Sequence, residues 1–353
     1  MTIVFAILLF SILIFVHELG HFLAAKAFGV RVNEFSMFMG PAIFKKQVGD
    51  TLYAIRCIPI GGYCAMEGEN EDTDDPHSFQ KSAWWKRLII LVAGAFMNLV
   101  IGVIIFACLI LPQEKKKVPQ ISEFTDCCVF NHQEGLRLGD EIVKLDGEKI
   151  YTYTDIATIL SLNQTVEHDV TVLRDGEKMT FDNLKMGHTH LDEDGKEYLH
   201  YGFSYGKEMP ATFSDKIQSV WNQSLNAVRN VRLSLKMIFS GKVGFSEVSG
   251  PVGIVHLMST TAQQVEKPGD ALLVLLEIGG VLAINLAVMN MLPIPALDGG
   301  RVLGLLLTVV IEKITRKKLD PKYEGYIHGI GMVLLLILMG VILFKDIFVI
   351  FKR

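Results

Sequence analysis

The stretch His17-Glu18-Leu19-Gly20-His21 closes an apolar run that opens at Ile3, and its reading decides the fold. Two histidines at i and i+4 project from one face of a helix, so their imidazoles can converge on one zinc ion, with Glu18 beside them as general base. Between residues 2 and 16 only Thr2 and Ser11 are polar. A helix continuing through the histidine pair to Phe28, before Gly29, is long enough to cross a ~30 Å hydrocarbon core. At about 1.5 Å per residue, His17 stands some ~22 Å in, past the midplane. The expectation is a zinc site sunk in a bilayer. Buried structural histidines are the plain alternative, and Glu18 together with Asp298 in a distant apolar region weighs against it. A signal peptide ending at Ala25-Lys26-Ala27 is also rejected: no basic residue precedes Ile3, and cleavage would discard the histidine pair.

Composition agrees with a membrane protein carrying a soluble part. Half of the 353 residues are apolar, too many for ordinary soluble domains and too few for a chain that is all membrane. A net charge of −4 provides no basic field for nucleic acid, and no base-reading or phosphate-cradling motif is present. The five cysteines, Cys57, Cys64, Cys108, Cys127 and Cys128, lack zinc-finger spacing and make a poor disulfide framework.

Further along, short strand-like runs punctuated by glycine lie between Gly29 and Trp85, notably Thr51 to Arg56 and Cys57 to Met66, and a β-hairpin is expected there. The acidic residues Glu67, Glu69, Glu71, Asp72, Asp74 and Asp75 read as a solvated loop. Lys86-Arg87 flank a second span, Leu88 to Leu111, closed by Pro112. Gly94 and Asn98 share a face of it, and helix-packing glue and a role at the site stand as equal readings. Basic residues between Gly29 and Arg87, with none before the first span, place the N-terminus outside and the histidine end of the first helix towards the cytosol.

Gln113 to Met209 loses its long apolar runs and alternates strands with turns such as Asp146-Gly147 and Asp175-Gly176, predicting a β-rich extracytoplasmic domain. His188 and His190, near Asp192, Glu193 and Asp194, read as solvated loop histidines. Phe213 to Phe239 has helical periodicity with interleaved cations, an amphipathic segment lying on the membrane surface or against the soluble domain. A third span, Ala271 to Met291, must break at Pro293 and Pro295. Asp298 follows with Gly299-Gly300, then a second apolar piece, Val302 to Ile311. Broken backbone at membrane depth is tolerated only where protein or water covers it, which marks a functional site. Lys313, Arg316, Lys317, Lys318 and Lys322 form a second cytosolic basic loop, and Tyr326 to Phe344 is a fourth span.

With these pieces placed, the chain resembles the site-2 proteases, in particular the bacterial sigma-factor-regulating branch with one PDZ domain. The resemblance rests on the HELGH stretch and on Asn290-Met291-Leu292-Pro293-Ile294-Pro295-Ala296-Leu297-Asp298-Gly299. Further matches are Ile58 to Tyr63, Asp75-Pro76 to Asn98, Glu134 to Asp140 with Leu145-Asp146-Gly147, and Ser249 to Gly253. Ala95 departs from the proline the family often has there, and Cys64-Ala65 from its usual valine and lysine. The resemblance implies a polytopic α-helical membrane protein with about four transmembrane helices, a cytosol-side β-hairpin and an inserted extracytoplasmic PDZ domain. Its parts would be residues 1–112 (first membrane part), 113–209 (PDZ), 210–270 (amphipathic connection) and 271–353 (second membrane part).

The resemblance further implies His17, His21 and Asp298 as ligands of one zinc ion and Glu18 as the catalytic residue that activates water. Substrate-binding roles fall to Asn290, to Gly62 and Tyr63 as a pairing edge, and to Asn98, Pro293 and Pro295 around the broken segment. Expected partners are single-pass transmembrane proteins, such as anti-sigma factors or signal-peptide remnants, cut after a first extracytoplasmic cleavage, and the lipid bilayer. The expected location is the bacterial inner membrane. The rival readings are a zinc transporter, which needs no Glu18 and several sites along a path, and a non-catalytic PDZ scaffold, which needs no Glu18 at all.

Overall fold

The computed structural model describes residues 2–69, 73–124, 135–191, 197–241, 244, 250–265, 267–316 and 322–352. Cys127, Cys128, Glu71, Asp72, Glu134, Asp192, Glu193, Asp194, Ser249, Lys317 and Lys318 lie outside them. Two compact units form, one from Met1–Ile105 with Val228–Arg353 and one from Phe106–Ala227.

The first unit opens with helix α1 (Thr2–Ala27). It ends where Gly29 takes φ +75°: the Gly29 N–H donates to Lys26 O and the Val30 N–H to Ala25 O. That pair of bonds is a Schellman cap, and Val30 and Ala25, the two residues joined by the second of them, belong to one buried apolar cluster. Strands β1 (Val32–Val48) and β2 (Thr51–Met66) follow; the runs Thr51 to Arg56 and Cys57 to Met66 are one continuous strand, β2, and the other arm of the hairpin is β1, which has no run of its own legible in the sequence. Their register is double: residues Glu34 to Met37 face Leu52 to Ile55 on one side and Gly62 to Ala65 on the other. Arg56 locks this folded hairpin, donating to Glu34 Oε1, Ser36 Oγ and Gly40 O at 2.6, 3.0 and 2.6 Å.

Helix α2 (Trp84–Ile110) is the second apolar helix of membrane length. Its close approach to α1 depends on missing side chains. A Cβ on Gly20 would strike the backbone of Ala93, and one on Gly94 would strike the rings of His17 and His21. Small residues at a helix crossing let backbones meet, the usual device where lipid offers no hydrophobic drive to association.

The second unit is built from β3 (Lys115–Phe124), β4 (Glu141–Leu145), β5 (Glu148–Lys149), α3 (Thr154–Leu162), β6 (Glu167–Arg174), β7 (Glu177–Lys185), β8 (Gly187–Leu191), β9 (Glu197–Tyr201) and β10 (Phe203–Pro210). One sheet runs in the order β10-β3-β4-β6-β7 with β5 against β4, and β8 and β9 pair separately. Both Asp-Gly turns are two-residue hairpin loops with positive φ at each residue, Asp146-Gly147 joining β4 to β5 and Asp175-Gly176 joining β6 to β7. Ile142, Leu145, Val170 and Val172 from the sheet close on Ile156 and Ile159 of α3. Arg174 grips the buried Asp140 through Nε and Nη2 at 2.8 and 2.7 Å. His188 sits on strand β8 opposite His200, so the pairing with His190 that reads as loop spacing is the two-residue period of a strand.

The chain continues through α4 (Phe213–Phe239), matching the amphipathic segment, α5 (Pro251–Gln263), α6 (Pro268–Asn290), α7 (Asp298–Thr315) and α8 (Lys322–Lys352). Helix α5 was not foreseen. Its N-terminus is capped from far along the chain: Asp346 Oδ2 of α8 accepts the Gly250 and Gly253 N–H groups, each at 2.9 Å. Among the described residues, four helical stretches are long and apolar enough to cross a membrane, Ile3–Ala27, Trp84–Ile110, Gly269–Asn290 and Gly325–Asp346. They agree with the four expected spans.

Candidate metal centre

The break between α6 and α7 turns the chain and aims Asp298. Met291 and Leu292 close the helix with tight bonds to Val288 O and Met289 O, and Pro293 and Pro295 remove the donors that would continue it. Ala296 takes φ +80°, a region costly for a residue with a Cβ, and its N–H donates to Nδ1 of His328 in α8 at 3.2 Å. Gly331 meets Pro295 where any Cβ would collide. Gly299 and Gly300 lie against the backbone of Met291, Leu292 and Ile294, again where no Cβ fits. Asp298 is thereby the first residue of α7. Arg301, one turn on, pairs with Glu69 beyond the hairpin.

Three ligand atoms converge. His17 Nε2 and Asp298 Oδ2 are 3.1 Å apart, His21 Nε2 and Asp298 Oδ2 3.3 Å, and the two Nε2 atoms 3.2 Å. A tetrahedral zinc with bonds of ~2.0–2.1 Å spaces its ligands by about 3.3 Å, so the triangle has the size of one face of such a site. Asp298 Oδ2 is buried and makes no hydrogen bond despite its two histidine neighbours, an arrangement that costs free energy unless a cation completes it. Among the described residues, only this trio brings three metal-capable side chains together within 4.8 Å. The donor set, two imidazoles and a carboxylate, suits zinc and leaves a fourth position open.

Outer contacts orient the rings. His21 Nδ1 lies 2.8 Å from Ile90 O; a carbonyl only accepts, so Nδ1 carries the proton and Nε2 is bare. His17 Nδ1 faces two carboxamides, with Asn98 Nδ2 at 3.5 Å and Asn290 Nδ2 at 3.4 Å. Glu18 is half-buried on the side of the hairpin: a Cβ on Gly62 would stand 3.4 Å from Glu18 Cγ and from Ile14 Cγ2.

Every residue expected at the site is thus located. His17, His21 and Asp298 meet, Asn98 and Asn290 touch His17, and Gly62 lies beside Glu18. Tyr63, next along β2, stacks near Arg56 at 5.5 Å, and Pro293 and Pro295 form the break. Sequence reasoning missed Ile90, which acts through its main chain and leaves no side-chain signal. It also missed His328, for which a signal existed: an imidazole inside an apolar span is costly there and asks for a partner.

A family model described as peptidase family M50 matches residues 5–338. A Clostridium perfringens protein, provisionally named a zinc metalloprotease, is 35% identical over 350 residues, covering 98% of each chain. A Fusobacterium nucleatum protein with the same provisional description is 34% identical over 360 residues, covering 100% of each. The regulator of sigma-W protease RasP of Bacillus subtilis is 26% identical over 428 residues, covering 98% of each.

Proposed function

This chain belongs to peptidase family M50, and from that premise we propose that it is a zinc-dependent endopeptidase that cuts the transmembrane segments of single-pass membrane proteins. The observation that carries the reading is the triangle of His17, His21 and Asp298 ligand atoms, held at the end of an apolar helix with Glu18 beside it. It is an inner-membrane zinc metalloprotease of the site-2 type.

When bound, zinc supplies Lewis acidity to the scissile carbonyl and acidifies the water beside it. Glu18, beside the metal set, would serve as the base that takes a proton from the attacking water and as the acid that returns it to the leaving amine. A substrate helix hides its amides in internal hydrogen bonds and must unwind before attack. The Gly62 to Ala65 segment pairs on one side with β1, and its other edge, running past Glu18, is suited to receive the unwound strand and replace those bonds. Asn290, half-exposed at the last turn of α6, is placed to hold a substrate carbonyl. Pro293 and Pro295 keep the neighbouring backbone open to water.

The basic short loops put the N-terminus and the β-rich residues 113–209, read as a PDZ domain, outside, with the zinc site near the cytosolic face. That domain contains none of the metal set and would filter substrates by the bulk of their outer portions, admitting those trimmed by a first cut. The name of the Bacillus subtilis relative supports a substrate in sigma-factor control, such as an anti-sigma factor; signal-peptide remnants are the second substrate class. Glu18 disfavours both a zinc transporter and an inert scaffold.

The test is cleavage of a single-pass model substrate by the purified chain in liposomes, with the products mapped by mass spectrometry. The expected cut lies inside the span and is slowed by at least about 10²-fold with Glu18→Gln. Cuts confined to the soluble flanks, or a Glu18→Gln protein as active as the parent, would sink the reading.

A further inference from the structure

Asn98 and Asn290 are the same residue type at nearly the same distance from one ring nitrogen, yet their surroundings differ. Asn98 is 1% exposed, and its Oδ1 is enclosed with no hydrogen-bond partner. Asn290 is partly open at the helix end beside the proline break. Asn98 also stands one turn after Gly94 on α2, the glycine whose missing Cβ makes room for both rings. The face of α2 carrying these two residues therefore forms the wall behind the histidines.

His17 needs a partner that His21 already has. With both carboxamides turned nitrogen-first, Nδ1 of His17 has to be bare, which puts the ring proton on Nε2, inside the ligand triangle and 3.1 Å from Asp298 Oδ2 but not in hydrogen-bond geometry to it. That tautomer closes the site to a cation. Metal binding requires the opposite one, with Nε2 bare and Nδ1–H donating to an acceptor. The acceptors at hand are the two carboxamide oxygens, and turning a carboxamide by half a rotation exchanges its oxygen and nitrogen with little change of shape. Burial selects between them, because an enclosed acceptor without a partner is costly and a half-exposed one can use water.

We propose that Asn98 is the positioning residue for His17, its Oδ1 accepting the Nδ1–H and so turning a bare Nε2 towards Asp298 and His21. Asn290 is thereby left free to face substrate. The assignment rests on the zinc reading above and divides between two asparagines the work that the sequence leaves shared.

Substitution by aspartate separates the two roles, because a carboxylate accepts and cannot donate. Zinc affinity is measured on the full-length chain in detergent by competition with a chromogenic chelator, alongside KM and kcat on the model substrate. Asn98→Leu removes the acceptor at similar volume and should weaken zinc about 10–100-fold. Asn98→Asp should bind zinc at least as tightly as the parent and still cleave. Asn290→Asp should keep parent zinc affinity and raise KM. Unfolding of the metal-free variants checks that each is folded, and if Asn98→Leu is not, the aspartate arm decides alone. Loss of zinc affinity in Asn98→Asp, or parent affinity in a folded Asn98→Leu, overturns the proposal. A parent chain that binds no zinc would instead overturn the functional reading itself.

Discussion

Among the described residues, a largely buried histidine–aspartate group stands in each unit, one with its hydrogen bonds complete and one without. In the β-rich unit, His168 has Nδ1 2.8 Å from Asp146 Oδ2 and Nε2 2.9 Å from Thr165 O. Asp146 is fully engaged as well, accepting from Asn163 Nδ2 and from the Asp169 N–H. In the membrane unit, His17, His21 and Asp298 crowd their ligand atoms into one triangle and leave Asp298 Oδ2 without a hydrogen bond. The same side chains serve as a structural rivet where every donor meets an acceptor, and as a metal socket where the acceptors point at each other. Burial alone does not separate the two, and hydrogen-bond accounting does.

The largest expected effect breaks that distinction directly. His21→Ala or Asp298→Ala should abolish both bound zinc and cleavage, read by metal analysis and a gel assay, whereas His168→Phe should leave zinc content unchanged. Glu18→Gln comes next: cleavage should fall by about 10²–10⁴-fold, the usual worth of a positioned general base, with zinc retained. Gly94→Ala tests the room behind the rings. Its Cβ would press on His21 and His17, and a displacement near 1 Å should cost about 10²-fold in kcat/KM.

Smaller effects belong to the rivet. Asp146→Ala orphans the buried His168 and two further donors, and should destabilise the β-rich unit by about 1–3 kcal/mol, with no change in zinc affinity. Hydrogen exchange of the strand amides reads the loss. The smallest effect concerns Asp215, whose carboxyl the Lys116 ammonium and the Thr212 hydroxyl and N–H hold down at about 2. A depressed carboxyl contributes stability above its unfolded value of about 3.9 and loses it as pH falls towards the folded one. Asp215→Asn should therefore melt slightly earlier than the parent near neutral pH, and the two curves should merge in acid.

The centre was legible because its signals are local. A helical spacing of four brought His17 and His21 together, and two prolines followed by an aspartate in an apolar region announced a break that only a site could justify. Where the sequence fell short, the cause was distant. Helix α5, with Gly253 in its first turn and Ser259-Thr260-Thr261 towards its end, has little helical signal of its own and draws its cap from Asp346 in α8. Strand β1 pairs on both sides through a folded register and is mostly exposed along its second half, so no clean alternation marks it. Gly94 could be read equally as packing glue or as part of the site, and it is both: the glue is what leaves room for the imidazoles.

Whether two imidazoles and one carboxylate of this chain hold a single zinc ion decides between a metal socket and a second rivet. X-ray absorption at the zinc edge on the Glu18→Gln protein tests it most directly. One zinc per chain is expected, with two imidazole nitrogens at about 2.0–2.1 Å and the remaining ligands oxygen. A sulfur scatterer at about 2.3 Å, or a spectrum left unchanged by Asp298→Ala, would contradict it.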